Sequence, residues 1–129
     1  MKLSISKAMV THLAWTEAFQ IAIEEKRITD EVAFSGCDDL CPFGKWLYSL
    51  DDDVKHRKDY RLVKDLHYRF HDQAGEIVRL IKAADFAGAI THLTGDYATT
   101  SGQLLLALQD WREAEEDSAA LQKAAENPG

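Results

Sequence analysis

The chain has little cysteine, no long apolar run and no concentration of basic charge, and each shortage removes a class of protein. Two cysteines, Cys37 and Cys41, are too few for a disulfide framework. No apolar run approaches the length of a membrane span, and His12, Glu17, Glu24 and Glu25 interrupt what would otherwise be a signal-peptide core. The net charge is −7 and the basic residues alternate with acidic ones, so no cationic face is offered to nucleic acid or to an anionic membrane. There is no internal repeat, no low-complexity linker and no strand alternation. A chain of 129 residues fits one domain. The expectation is a cytoplasmic protein with neither nucleic acid nor membrane as a partner.

What is present is helical periodicity. Over residues 4–26, Ile5, Met9, His12, Trp15, Phe19 and Ile23 recur three and four apart, the spacing of one helical face, with His12 in the middle of the inward stripe. Residues 29–39 mix Asp, Ser and Gly without periodicity and read as an irregular connector. Pro42 then opens a short helix through Trp46 and Tyr48, because proline is tolerated in a first turn and its φ is already helical. Asp51 to Asp53 end that turn and can cap the next helix. From about residue 60 to 84, Val63, Leu66, His67, Phe70, Ala74, Ile77 and Ile81 form a second long stripe, with His71 at its margin.

Asp85 is an N-cap for one last long helix carrying Phe86, Ile90, Leu93, Tyr97, Leu104, Leu108 and Trp111. Gly88, Gly95 and Gly102 repeat every seven residues along it, a file that signals close packing or else chance placement in a tolerant helix. The resulting fold class is all-α, a four-helix bundle of three long helices and one short helix carrying Cys41, over residues 1–112. Residues 113–129, rich in Glu, Ala and Lys and ending Asn127, Pro128, Gly129, form a C-terminal helical extension or tail.

The chemistry resides in the histidines. His67 and His71 stand one helical turn apart, so their rings project side by side and can share a metal. Zinc takes imidazole nitrogen and thiolate sulfur in a tetrahedral shell, so two further donors are needed. His12 on the first helix and Cys41 on the short helix supply them. Taken singly each signal is weak, since a His-x-x-x-His pair is often surface decoration and a lone histidine in an apolar stripe is often a core residue. Their conjunction carries the argument.

His12, Leu13, Ala14 and Trp15, then Cys41, Pro42, Phe43, Gly44, Lys45 and Trp46, then His67 and His71, resemble the successive motifs of the chemoreceptor zinc-binding domain. The resemblance spans residues 6–108. It implies a four-helix bundle that binds Zn2+ through His12, Cys41, His67 and His71, forms a homodimer, and works with a bacterial signalling protein of the chemoreceptor or diguanylate cyclase type, in cis or in trans. No signalling or cyclase segment is present in this chain, and Met1 favours a stand-alone protein as the expectation. The exposed ends of Leu104, Leu108 and Trp111 are a second reason to expect a dimer. Trp15 and Trp46 are expected to pack around the metal and keep water away.

The implied activity is sensing rather than catalysis: zinc availability, or an oxidant such as hypochlorous acid acting on Cys41, would be read through the site of one cysteine and three histidines. A structural zinc module for protein interaction is the alternative, and a metalloenzyme is disfavoured because four protein ligands leave no open position. Cys37 stands outside the motif, as a bystander or as a resolving thiol for oxidised Cys41. His92 with Asp96 suggests either a second metal pair or a solvated surface pair, and His56 also falls outside the motif.

Overall fold

The computed structural model describes residues 2–37 and 41–126, and their regular structure is entirely helical. The order is α1 (Lys2–Glu25), α2 (Asp30–Ala33), α3 (Pro42–Tyr48), α4 (Asp52–Lys55), α5 (Lys58–Lys82), α6 (Phe86–Thr94) and α7 (Asp96–Glu126). The all-helical class agrees with the periodicity, but the bundle is assembled differently from the expectation. Its four mutually packed helices are α1, α5, α6 and α7, and the cysteine-bearing α3 is an addition to them.

Each departure has a local cause. The expected last helix is two helices, divided at Gly95, where a Cβ would lie 2.9 Å from the Thr91 carbonyl oxygen. The break lets α6 and α7 pack on each other as well as on α1 and α5. The close contacts along the glycine file are with the chain's own preceding turn, at Gly88 and Gly95, and not with a neighbouring helix. The nearest atoms to a Cβ on Gly88 belong to its own cap, the Asp85 carboxylate that accepts from Gly88 N at 2.9 Å, and Gly102 has nothing within 4 Å of that position. The connector contains one helical turn, α2, capped by Thr29 Oγ1 accepting from Val32 N at 3.3 Å. Val32 is the anchor of that turn in the core.

Both long helices that precede connectors end in a left-handed residue that is not glycine, Lys26 at φ 55° and Ala84 at φ 60°. The same pair of bonds closes each end. Arg27 N donates to Ala22 O and Lys26 N to Ile23 O; Asp85 N donates to Leu80 O and Ala84 N to Ile81 O.

Leu104, Leu108 and Trp111 are fully buried within their own chain, which removes exposure of these residues as a reason for dimerisation. Trp111 packs on Trp46 at 5.8 Å and on Tyr60 at 6.2 Å between ring centroids. These contacts, with the Tyr60 hydroxyl donating to the Leu47 carbonyl at 3.1 Å, fasten α3 to α5 and α7. Helix α7 continues without interruption past residue 112. Trp111 Nε1 donates to Glu115 at 3.3 Å and Arg57 pairs with Glu115 at 3.1 Å, so the start of the expected tail is tied to the bundle. Residues 127–129 of that tail, and Asp38 and Asp39 beside Cys37, lie outside the described residues.

Candidate metal centre

His12 occupies the inward face of α1, and α5 delivers His67 and His71 from successive turns. All three are at most 2% exposed, a rare environment for imidazole unless each polar nitrogen is satisfied. Cys41 arrives separately. It is the N-cap of α3, in extended conformation, and its side chain makes no capping bond, so the sulfur is available to the histidines. Pro42 at the first helical position explains why α3 begins where it does.

The donor atoms of His12, Cys41, His67 and His71 all lie within 4.8 Å of one another. The Nε2 atoms of His67 and His71 are 3.0 Å apart, and Cys41 Sγ is 3.9 Å from His12 Nε2. A tetrahedral zinc with ordinary bond lengths sets its nitrogen and sulfur donors roughly 3.3–3.7 Å apart. The observed spacings bracket that range. Among the described residues this is the one cluster of at least three potential His, Cys, Asp or Glu ligands, and His92 with Asp96 does not form a second.

Protons are already placed for metal binding on two rings. His12 Nδ1 lies 2.6 Å from the Ala8 carbonyl and His71 Nδ1 lies 2.5 Å from the Ser35 carbonyl. A carbonyl can only accept, so both rings carry hydrogen on Nδ1 and present a bare Nε2 to the centre. His67 differs: its Nδ1 is buried with no hydrogen-bond partner among the described residues. Its Nε2 faces the bare Nε2 of His71, an arrangement that needs either a proton or a cation between them.

Burial pushes His12 down to about 4, with the neighbouring His71 adding to the shift and the Ala8 bond opposing it. His67 is pushed down to about 2, again by burial first and then by His71 and His12. Imidazoles kept neutral at physiological pH have their lone pairs free, which is the protonation state a metal requires.

The rings against these ligands are phenylalanines. Phe43 meets His12 at 5.9 Å and His67 at 5.3 Å, and Phe70 meets His12 at 5.0 Å and His71 at 5.2 Å. Trp46 stands one layer back, stacked on Phe43 at 5.4 Å, and Trp15 stacks on Phe19 at 5.9 Å. Phe70 was visible in the sequence only as a core residue, and the carbonyls of Ala8 and Ser35 carry no sequence signal because any residue supplies one. Cys37 and His56 are exposed and stand apart from the cluster.

The family model described as "Chemoreceptor zinc-binding domain" matches residues 12–78, just over half of the chain. The match begins at His12 and takes in the other three donors. No curated protein and no solved structure matches the chain.

Proposed function

Because the chain belongs to the chemoreceptor zinc-binding domain family, we propose that it is a regulatory domain whose signal is the state of the link between Cys41 and zinc held by His12, Cys41, His67 and His71. Zinc in such a shell would supply a crosslink between elements distant in sequence, which makes binding part of the folding energy. The carrying observation is the asymmetry of the four donors. Three sit on long bundle helices, whereas Cys41 stands at the start of a seven-residue helix and is only partly buried as a residue, although within the cluster it is enclosed with the other three. Cys41 also lines an open groove with Ser4, Lys7, Thr11, Pro42, Phe43 and Trp46.

That asymmetry supports Cys41 as the ligand on which an input acts. A two-electron oxidant such as hypochlorous acid converts a thiolate to sulfenic acid, which donates poorly. The set is then reduced to three imidazoles, and α3 loses its metal link to α1 and α5 while its packing on α5 and α7 remains. Falling zinc releases the same link without oxidation. Four protein donors leave no open position on a tetrahedral metal, which favours regulation over catalysis. A cytoplasmic location, where thiols stay reduced, suits a thiolate ligand, and among the described residues no helix is long and apolar enough to cross a membrane.

The output is proposed to be a chemoreceptor or diguanylate cyclase type of protein, joined in cis or in trans, with the domain acting as a homodimer. On α1, Leu3, Val10 and Ile21 are exposed on one face, opposite His12, which supports contact with a second copy there. Elemental analysis before and after oxidant treatment tests the central reading. One zinc per chain that leaves as Cys41 oxidises is expected; zinc retained by fully oxidised Cys41 leaves a structural role, and no zinc after zinc-replete expression removes the metal reading.

A further inference from the structure

A closely packed pair of glycines occurs where the sequence drew no attention to it. Gly36 of the connector crosses Gly75 of α5, and a Cβ on Gly36 would lie 2.9 Å from Gly75 Cα, 3.5 Å from Gly75 N and 3.6 Å from the His71 carbonyl oxygen. Gly75 follows His71 by one helical turn, inside a helix of 25 residues. Glycine there costs about 1 kcal/mol relative to alanine. The residue before Gly36 is Ser35, whose carbonyl lies 2.5 Å from His71 Nδ1. Ser35 is buried, with its N donating to Val32 O at 3.1 Å and its Oγ donating to the same oxygen at 2.6 Å. Val32 is itself buried in the core, so the connector reaches α5 as an anchored turn.

We propose that the Gly36–Gly75 crossing positions the metal centre: it presses the Ser35 carbonyl onto His71 Nδ1, fixing the ring's proton there and its Nε2 lone pair toward the other donors. Gly36 and Gly75 touch no metal. They act through His71, as positioning residues, and the inference rests on the reading of the four donors as a metal site. Outer partners of a ligating histidine set its tautomer and ring orientation, and losing one typically costs roughly 10–100-fold in metal affinity. The two glycines are unequal. A Cβ on Gly75 would stand 3.4 Å from Gly36 Cα, an ordinary contact, whereas one on Gly36 must displace α5 backbone or lift the connector.

The test is histidine nitrogen NMR on the metal-free full chain, followed by zinc competition against a chelator. His71 of the unsubstituted protein is expected as the Nδ1–H tautomer. Gly36→Ala should convert it to a tautomer mixture and weaken zinc binding about 10–100-fold, with helicity retained by circular dichroism. Gly75→Ala, whose Cβ would meet Gly36 Cα at 3.4 Å, should act on both more weakly than Gly36→Ala, and Gly102→Ala, with nothing within 4 Å of its Cβ position, should leave both nearly unchanged. An Nδ1–H tautomer and full affinity in Gly36→Ala overturn the proposal, as does a lost tautomer with unchanged affinity. If Gly36→Ala does not fold, an Nε2–H tautomer for His71 in the unsubstituted protein still overturns it. Zinc binding absent from the unsubstituted protein, with the tautomers as expected, overturns the metal reading instead.

Discussion

His67 and His71 face each other nitrogen to nitrogen, their Nε2 atoms 3.0 Å apart in a pocket where both rings are buried. His67 gains little from this without a metal, because its Nδ1 is buried and finds no acceptor or donor among the described residues. An unsatisfied buried polar group costs about 1–3 kcal/mol. Replacing His67 with Leu should therefore act in opposite directions on two observables. Zinc affinity should collapse, by more than the roughly 100-fold that losing an outer partner costs, while the metal-free protein should melt at an unchanged or higher temperature. Calorimetry with and without zinc checks both, and a large loss of metal-free stability would show that the ring is satisfied in some other way.

Cys41 and Cys37 should separate cleanly. Cys41→Ser should weaken zinc binding strongly, while Cys37→Ser, altering an exposed thiol outside the cluster, should not. On exposure to hypochlorous acid, Cys41 oxidation should track zinc release and be faster than Cys37 oxidation, since metal-bound sulfur is held as the reactive thiolate. Mass spectrometry resolving the two cysteines, beside a zinc-release dye, gives the order. Prior oxidation of Cys37 would shift the preferred input to zinc concentration.

The buried histidines set the pH dependence of the metal-free protein. Unfolded His12 takes up a proton near 6.5, but the folded residue resists until about 4; for His67 the folded value is about 2. The unfolded state therefore binds more protons across this interval, and unfolding becomes easier as pH falls. Stability should be flat above about pH 7 and decline from roughly 6.5 downward. Denaturant titrations of the chelator-treated protein at several pH values measure the slope. Stability rising on acidification would mean that the rings are charged in the folded state.

Two helix-end substitutions should have opposite signs. Ala84 ends α5 at φ 60°, a conformation that glycine adopts without the Cβ penalty, so Ala84→Gly should stabilise by about 0.5–1 kcal/mol after its extra unfolded-state freedom is discounted. Gly95→Ala should destabilise, because the new Cβ would lie 2.9 Å from the Thr91 carbonyl at the α6–α7 break. Thermal melts of the two variants decide the matter, and equal effects would show that the break is not sterically enforced.

The sequence by itself determined the helical class, the inward stripes of α1 and α5, the proline-started α3 and the identity of the four candidate donors. The helices and the inward histidines come from residue type at fixed periodicity, and Cys41 from the motif that its surroundings resemble: His67 and His71 share a face because helical turns repeat, and His12 lies inward because Ile5, Phe19 and Ile23 do. Tertiary structure decided the rest. Gly95 has the same spacing as Gly88 and Gly102, yet only at Gly95 does the chain break into two packed helices, and that choice comes from α6 and α7 both finding partners in α1 and α5. Trp111 reads as a candidate for an exposed end until Trp46 and Tyr60 close around it. The carbonyls of Ala8 and Ser35 that orient His12 and His71 have no signature at all. Backbone groups are identical at every residue, so only the path of the chain, set by a crossing such as Gly36 over Gly75, determines which of them meets a ligand.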